Sequence, residues 1–373
     1  MTNTMIILAI IAYMVFVIAI GIKCSKDNKS TDDFYLGGRK LSPLVTAMSA
    51  EASDMSSWLL MGLPGVALIV GGFAEAVWTA LGLAIGTYTN WLIVARPLRR
   101  YSEKTRSNTI PDFFANRFRD KTGALLAISA VVIIVFFVPY AGSGFAAVGK
   151  LFNSLFGINY HIAMIIGAAV IAAYTVIGGF LAASTTDYIQ SIIMTIALFV
   201  VMCFGVENAG GIENILENTR QFPGYFSLTG TDGSYGLLPI ISTLAWGLGY
   251  FGMPHILLRF MAIEDEKKLK LSRRIASVWV VFSMAVAIFI GIIGYTFVKN
   301  NGILGTEGFD SERIVIYIAS AISKLDSFAA IIAGVIISGI LASIMSTADS
   351  NAGCCVQRFG KHCKTLFLER HVS

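Results

Sequence analysis

Two stretches place polar chemistry inside apolar surroundings. The first reads Ala50-Glu51-Ala52-Ser53-Asp54-Met55-Ser56-Ser57-Trp58, with two carboxylates three residues apart among small residues. The second reads Trp246-Gly247-Leu248-Gly249-Tyr250-Phe251-Gly252-Met253-Pro254-His255, with two aromatic residues four apart beside three glycines and a proline. In lipid, unwound backbone is tolerated only where it is buried in protein or lines a cavity. An ionised carboxylate near the bilayer centre costs several kcal/mol unless water, a cation or a donor network meets it. Small residues around Asp54 let backbone carbonyls turn inward, and oxygen-rich, mostly uncharged coordination suits a desolvated alkali cation. Asp54 raises the local cation affinity without having to be a ligand. The competing reading makes Asp54 the cap of the second half of a broken helix, and the two roles can coexist.

Other polar residues gain meaning from that pair of breaks. Ser343, Ser346 and Thr347 share one helical face, as packing hydroxyls or as half of an ion site with the first break. Glu51 shares a face with Asp54 only if the helix between them is continuous, and is the weaker candidate. Trp246 and Tyr250 suit a small amphipathic solute, and equally suit ordinary packing. Tyr140 joins them only if the fold brings its span alongside. Asp187 fits a helix N-terminus by dipole logic or a coupling role. Cys354, Cys355, His362 and Cys363 match no common zinc spacing.

The elements that must position these residues are membrane spans. The chain has 373 residues, 55% hydrophobic and only 14% charged, with mean hydropathy +0.72. Soluble domains carry about 25% charged residues. Apolar runs predict nine helices near 5–22, 43–66, 72–95, 123–149, 161–181, 187–206, 238–258, 275–298 and 325–348. With the N-terminus outside, four segments fall in the cytoplasm: 23–40, 96–121, 259–274 and the tail. They hold 23 of the 28 Lys and Arg, as the positive-inside rule requires. The net charge of +5 therefore sits in short loops beside apolar spans and is no nucleic-acid signal. The first span lacks a basic n-region and a cleavage site, and reads as a retained helix. Segments 310–324 and 111–121 carry short surface helices, the second equally readable as a solvated loop. No nucleophile–base pair or phosphate loop argues for an enzyme. Beyond Ser350 the composition changes abruptly, and residues 351–373 read as an aberrant, truncated or frame-shifted end.

The chain resembles the sodium:solute symporter family. The resemblance rests on Phe34-Tyr35-Leu36-Gly37-Gly38-Arg39, on Ser49 through Gly65, on Tyr174 through Ala182, on Gly247 through His255, and on Met345-Ser346-Thr347-Ala348-Asp349-Ser350. It implies an all-α polytopic membrane protein: a five-plus-five inverted-repeat fold preceded by one extra N-terminal helix. The first repeat spans about 43–206; the second, about 238–348, is incomplete, and the symporter domain covers 1–350. It implies sodium as coupling ion, with no other cofactor. The ion would be held by the carbonyls of Ala52, Met55 and Ser343 and the hydroxyls of Ser346 and Thr347, with Asp54 as the acid needed for high affinity. Ser56, Tyr140, Trp246, Tyr250 and Pro254 match substrate positions; Arg39 and Asp187 match coupling positions. The implied function is alternating-access uptake of a small amino acid, L-proline first, through the cell membrane. A non-transporting remnant, a sodium-binding scaffold, or another small organic solute are the alternatives. Glu51 stands where one compared carrier of the family has Gly, Ser343 where it has Ala and Met253 where it has Gln. The pattern's Gln and apolar run do not follow Ser350.

Overall fold

The computed structural model describes residues 2–25, 31–230, 233 and 235–369, nearly all helical. Helix stands at each of the nine expected positions. Span one is Thr2–Ser25, span three Gly72–Ile93, span four Ala124–Phe156, span eight Leu269–Asn300 and span nine Ser327–Glu369. Spans five and six form one run, Tyr160–Asn208, jointed at Gly179 with φ 65° and ψ −169°, a backbone region that is essentially closed to residues with a Cβ. Among the described residues, five helices are long and apolar enough to cross a membrane unaided, and seven if two bent pairs are counted as spans. Shorter apolar helices include Trp58–Leu68, the second half of span two, and Tyr160–Ala173. Large apolar side chains such as Phe136 (67% exposed) and Leu237 (73%) point out of the bundle, the pattern expected where lipid is the solvent. The chain is a multi-pass membrane protein.

Three boundaries differ from expectation. Span six begins at Gly179, so Asp187 lies two turns inside it and caps no N-terminus. Span nine does not stop near 348 but continues as helix to Glu369. The segment 111–121 is helical over Ile110–Phe118, opened by Thr109, whose hydroxyl accepts the Asp112 amide. The segment 310–324 forms the helix Ile314–Ser323. The side chains of Cys354, Cys355, His362 and Cys363 lie outside the described residues.

Spans two and seven are broken as the sequence requires. Span two runs as α-helix over Pro43–Met55, capped by Ser42 with Pro43 in its first turn. It then turns at Ser56, widens to a π-turn over Trp58–Gly62 and resumes over Leu63–Leu68. Ser56 has φ 49° and ψ −166°, a conformation costing roughly 1–3 kcal/mol outside glycine. Span seven runs over Leu237–Leu244, tightens to a 3-10 helix over Ala245–Gly252, and restarts over Pro254–Ala262 after an extended Met253. Pro254 occupies the first turn, where its missing N–H costs nothing and its fixed φ is already helical.

The tightened stretch of span seven packs backbone to backbone on span three. A Cβ on Gly247 would lie 2.0 Å from the Gly82 carbonyl, and one on Gly86 would lie 2.3 Å from the Gly247 carbonyl. Small residues at such spacing let membrane helices approach closely. At one end of the bundle the two broken spans are clasped together. The Leu41 amide donates to the Ala262 carbonyl at 3.2 Å, and the Glu264 amide to the Leu41 carbonyl at 3.0 Å. Arg39 reinforces the clasp, donating to the carbonyls of Met261 (2.6 Å), Ser102 (3.2 Å) and Ser107 (2.8 Å). Nearby, Arg100 and Arg96 hold the exposed Glu266 carboxyl down at about 2.

Gly247→Leu should force spans three and seven apart. Overpacking of a fitted interface costs about 1–3 kcal/mol or more, so the purified variant should melt several degrees lower than the parent in a thermal-unfolding assay, while Gly252→Leu, whose Cβ meets nothing within 4 Å, should melt near the parent value.

Candidate functional site

The break in span two frees carbonyls that neighbouring spans take up. The Ser346 hydroxyl of span nine donates to the Ala52 carbonyl at 2.8 Å and lies 3.2 Å from the Ser343 carbonyl. Thr347 Oγ1 also lies 3.2 Å from the Ser343 carbonyl. Ala52, Met55, Ser343, Ser346 and Thr347 are all buried. The last turn of the first half of span two thus meets the hydroxyl face of span nine. Two residues further on, the Tyr140 hydroxyl of span four donates to the Asp54 carbonyl at 3.1 Å.

Asp54 itself turns toward span seven. Its carboxylate lies 3.9 Å from His255 Nε2 and faces the Tyr250 hydroxyl. Pro43–Met55 is unbroken helix, so Glu51 does share that face. Glu51 Oε1 accepts the Trp91 indole N–H of span three at 3.0 Å.

Between the two breaks lies a cavity of about 980 Å³. Asp54, Met55, Ser56, Tyr140, Trp246 and Tyr250 line its inner part, and Lys150, Asn153, Glu312 and Arg313 its other end. Trp58 and Trp246, one from each break, meet edge to face at 5.4 Å and form one wall. Pro254 is not among the lining residues; its neighbour Met253 is. Pro254 acts through the helix that it starts. Arg39 stands apart from the cavity, in the clasp.

Outside the cavity lining, a buried polar knot joins several spans. Arg259 is 1% exposed and Asp187 fully buried. Arg259 Nη2 donates to Asp187 Oδ2 at 2.7 Å and to the Ser350 hydroxyl at 2.6 Å. Its Nε donates to the Ser49 hydroxyl at 2.8 Å, and its Nη1 to the His255 carbonyl at 2.7 Å. Ser49 in turn donates to Asp187 Oδ2 at 2.8 Å. Spans two, six, seven and nine are thereby tied at one point. Sequence reasoning had counted Arg259 among cytoplasmic loop charges. The available signal was its place one turn before the end of an apolar run, where a guanidinium must find buried partners.

Comparison with known proteins gives this geometry a family. The sodium:solute symporter family model matches residues 34–361. The chain belongs to that family. It is 40% identical over 375 residues to the sodium/proline symporter of Salmonella typhimurium, covering 100% of this chain and 72% of that one. It is 44% identical over 334 residues to the high-affinity proline transporter PutP of Bacillus subtilis, covering 89% and 68% respectively. In fold it is similar to a Na+-coupled sialic acid symporter solved in a substrate-bound outward-open state, with TM-score 0.78 and 18% identity over 94% of this chain and 73% of the other. The chain has the inverted-repeat transporter fold, with spans two and seven as its broken helices. The family and these relatives are transporters.

Removing one partner of a buried ion pair costs about 3–5 kcal/mol, whereas replacing both by apolar residues is often neutral. Arg259→Leu should therefore lower the melting temperature sharply, and Arg259→Leu with Asp187→Leu should recover a large part of the loss. Equal melting of single and double variants would show that the knot is not an energetic unit.

Proposed function

We propose that this protein carries L-proline into the cell, coupled to sodium entry down its gradient across the cell membrane. The observation that carries the reading is the 2.8 Å contact of the Ser346 hydroxyl with the Ala52 carbonyl. It brings together, from spans two and nine, the groups that a desolvated alkali cation needs. Sodium binds there, between the carbonyls of Ala52, Met55 and Ser343 and the hydroxyls of Ser346 and Thr347. The hydroxyls of Ser346 and Thr347 already lie against the Ala52 and Ser343 carbonyls, so binding the ion requires little reorganisation. Asp54, two residues from Ala52 and next to Met55, biases the region toward positive charge.

The substrate occupies the inner cavity between the breaks. Freed amides at Ser56 and at the start of Pro254–Ala262 favour its carboxylate, as half-helix N-termini do. Tyr140, Trp246 and Tyr250 supply apolar walls with polar tips for a small zwitterion. The N-terminus and the Lys150–Glu312 end of the cavity face outward, and the clasp and the Arg259 knot face the cytoplasm. The conformation described is then outward-facing with the inner side sealed. Sodium steadies the first half of span two against span nine; the substrate engages both breaks; their joint occupation favours the closed, then inward-facing, bundle. By linkage each ligand must tighten the other by the same factor.

Proteoliposomes containing the 373-residue chain should accumulate labelled proline only under an inward sodium gradient. Asp54→Cys should abolish uptake, and Ser346→Ala should raise the sodium concentration for half-maximal uptake at least tenfold. Equal uptake with potassium replacing sodium on both sides would overturn the proposal. In binding assays, Tyr140→Phe should weaken proline binding several-fold, since the Asp54 carbonyl loses its donor, while leaving sodium binding within about twofold.

A further inference from the structure

Tyr250 is where the cavity and the first break converge. It lines the cavity, and its hydroxyl reaches the Asp54 carboxylate and the Thr87 side chain of span three. Yet it sits in the tightened stretch Ala245–Gly252, where hydrogen-bond geometry is poorer than in an α-helix. In an α-helix the Tyr250 carbonyl would accept the N–H of residue 254. That residue is Pro254, which has none. Asn90 of span three supplies a donor in its place: its Nδ2 donates to the Tyr250 carbonyl at 2.9 Å. Asn90 is 1% exposed and Tyr250 3%, so the bond is closed to bulk water.

The spacing on span three explains the fit. Gly82, Gly86 and Asn90 stand four residues apart and share one helical face. The two glycines let the backbones of spans three and seven touch. Asn90, one turn on, carries an amide to the carbonyl that the proline leaves without its helical donor. Thr87 and Asn90 thus hold Tyr250 by its two ends, hydroxyl and carbonyl. Neither of them lines the cavity.

We propose that Asn90 is a positioning residue for the substrate site: it fixes the backbone of the second break so that the Tyr250 ring faces the cavity and its hydroxyl stays on Asp54. It acts on substrate affinity through Tyr250, touching neither substrate nor ion. The proposal rests on the sodium-coupled proline reading for the identity of the ligands alone.

The test uses the 373-residue chain in lipid nanodiscs and two variants, Asn90→Leu and Asn90→Ala, which remove the amide with and without filling its space. In sodium without substrate, amide hydrogen exchange in a peptide covering 245–255 should speed up about fivefold or more in both, while peptides from spans one and nine exchange as in the parent. The dissociation constant for labelled proline should rise about tenfold, the effect of one lost buried hydrogen bond, while ²²Na⁺ binding without substrate stays within about twofold. In a Tyr250→Ala background, where there is no ring to place, Asn90→Ala should add nothing to the loss of proline affinity. Unchanged exchange at 245–255 overturns the proposal. So does a proline constant that stays at the parent value, or a penalty that adds in full to that of Tyr250→Ala. A parent that binds no proline removes the proline reading instead, and the exchange measurement, which needs no substrate, then decides whether Asn90 fixes the break.

Discussion

Backbone groups released in a lipid-filled surrounding have to be satisfied by something, and the rest of this molecule is arranged around where that happens. At Ser56 the chain takes a backbone conformation that a serine adopts only at a cost. The carbonyls left at the end of the first half-helix are received by Ser346 from span nine and Tyr140 from span four. Span seven makes the complementary break, with three glycines and a proline in place of strain. Neither break is stable as an isolated helix feature. Each exists because the neighbouring spans are close enough to supply donors, and the glycines of span three are what allow that approach.

One short helix, Pro43–Met55, therefore has two working faces. The Ala52 side meets hydroxyls on span nine; the Glu51–Asp54 side meets span seven and the indole of span three. Its start is clasped to the end of span seven by Leu41 and Arg39, and Ser49 joins it to the Arg259–Asp187 knot. A shift of this helix against span nine is thus transmitted to the seal on the same side of the bundle. That linkage gives a physical meaning to Arg39 and Asp187, both remote from the Trp246 wall of the cavity: one fixes the two broken spans to each other, the other fixes them to spans six and nine.

Much of this was legible in the residues. The breaks at 50–58 and 246–255 were visible because polar and small residues interrupt long apolar runs, and the hydroxyl face of span nine followed from helical spacing alone. Long apolar runs located the nine spans. What was hidden depended on three-dimensional pairing. Arg259 read as a loop charge because sequence shows where a charge sits, not which buried carboxylate answers it. Asp187 read as a helix start because the joint at Gly179 lies inside a nearly continuous apolar run, with only one glycine's backbone angle separating two spans. Trp91 and Asn90 carried no signal, since an aromatic and an amide on a membrane helix are usually packing or interhelical bonds. The continuation of span nine past Ser350 was missed because apolar content, which marks spans, says little about where helix itself stops.

The oxygen-lined contact between span two and span nine at Ala52 and Ser346 is, on this account, a sodium site created by the helix break. Paired density maps of the protein in nanodiscs, one in sodium and one in potassium, test it most directly. The account predicts a compact density contacting the Ala52 and Ser343 carbonyls and the Ser346 and Thr347 hydroxyls in sodium alone, with Ser56 unwound in both. A continuous span two through Ser56, or the same empty contact between Ser346 and Ala52 in saturating sodium, would contradict it.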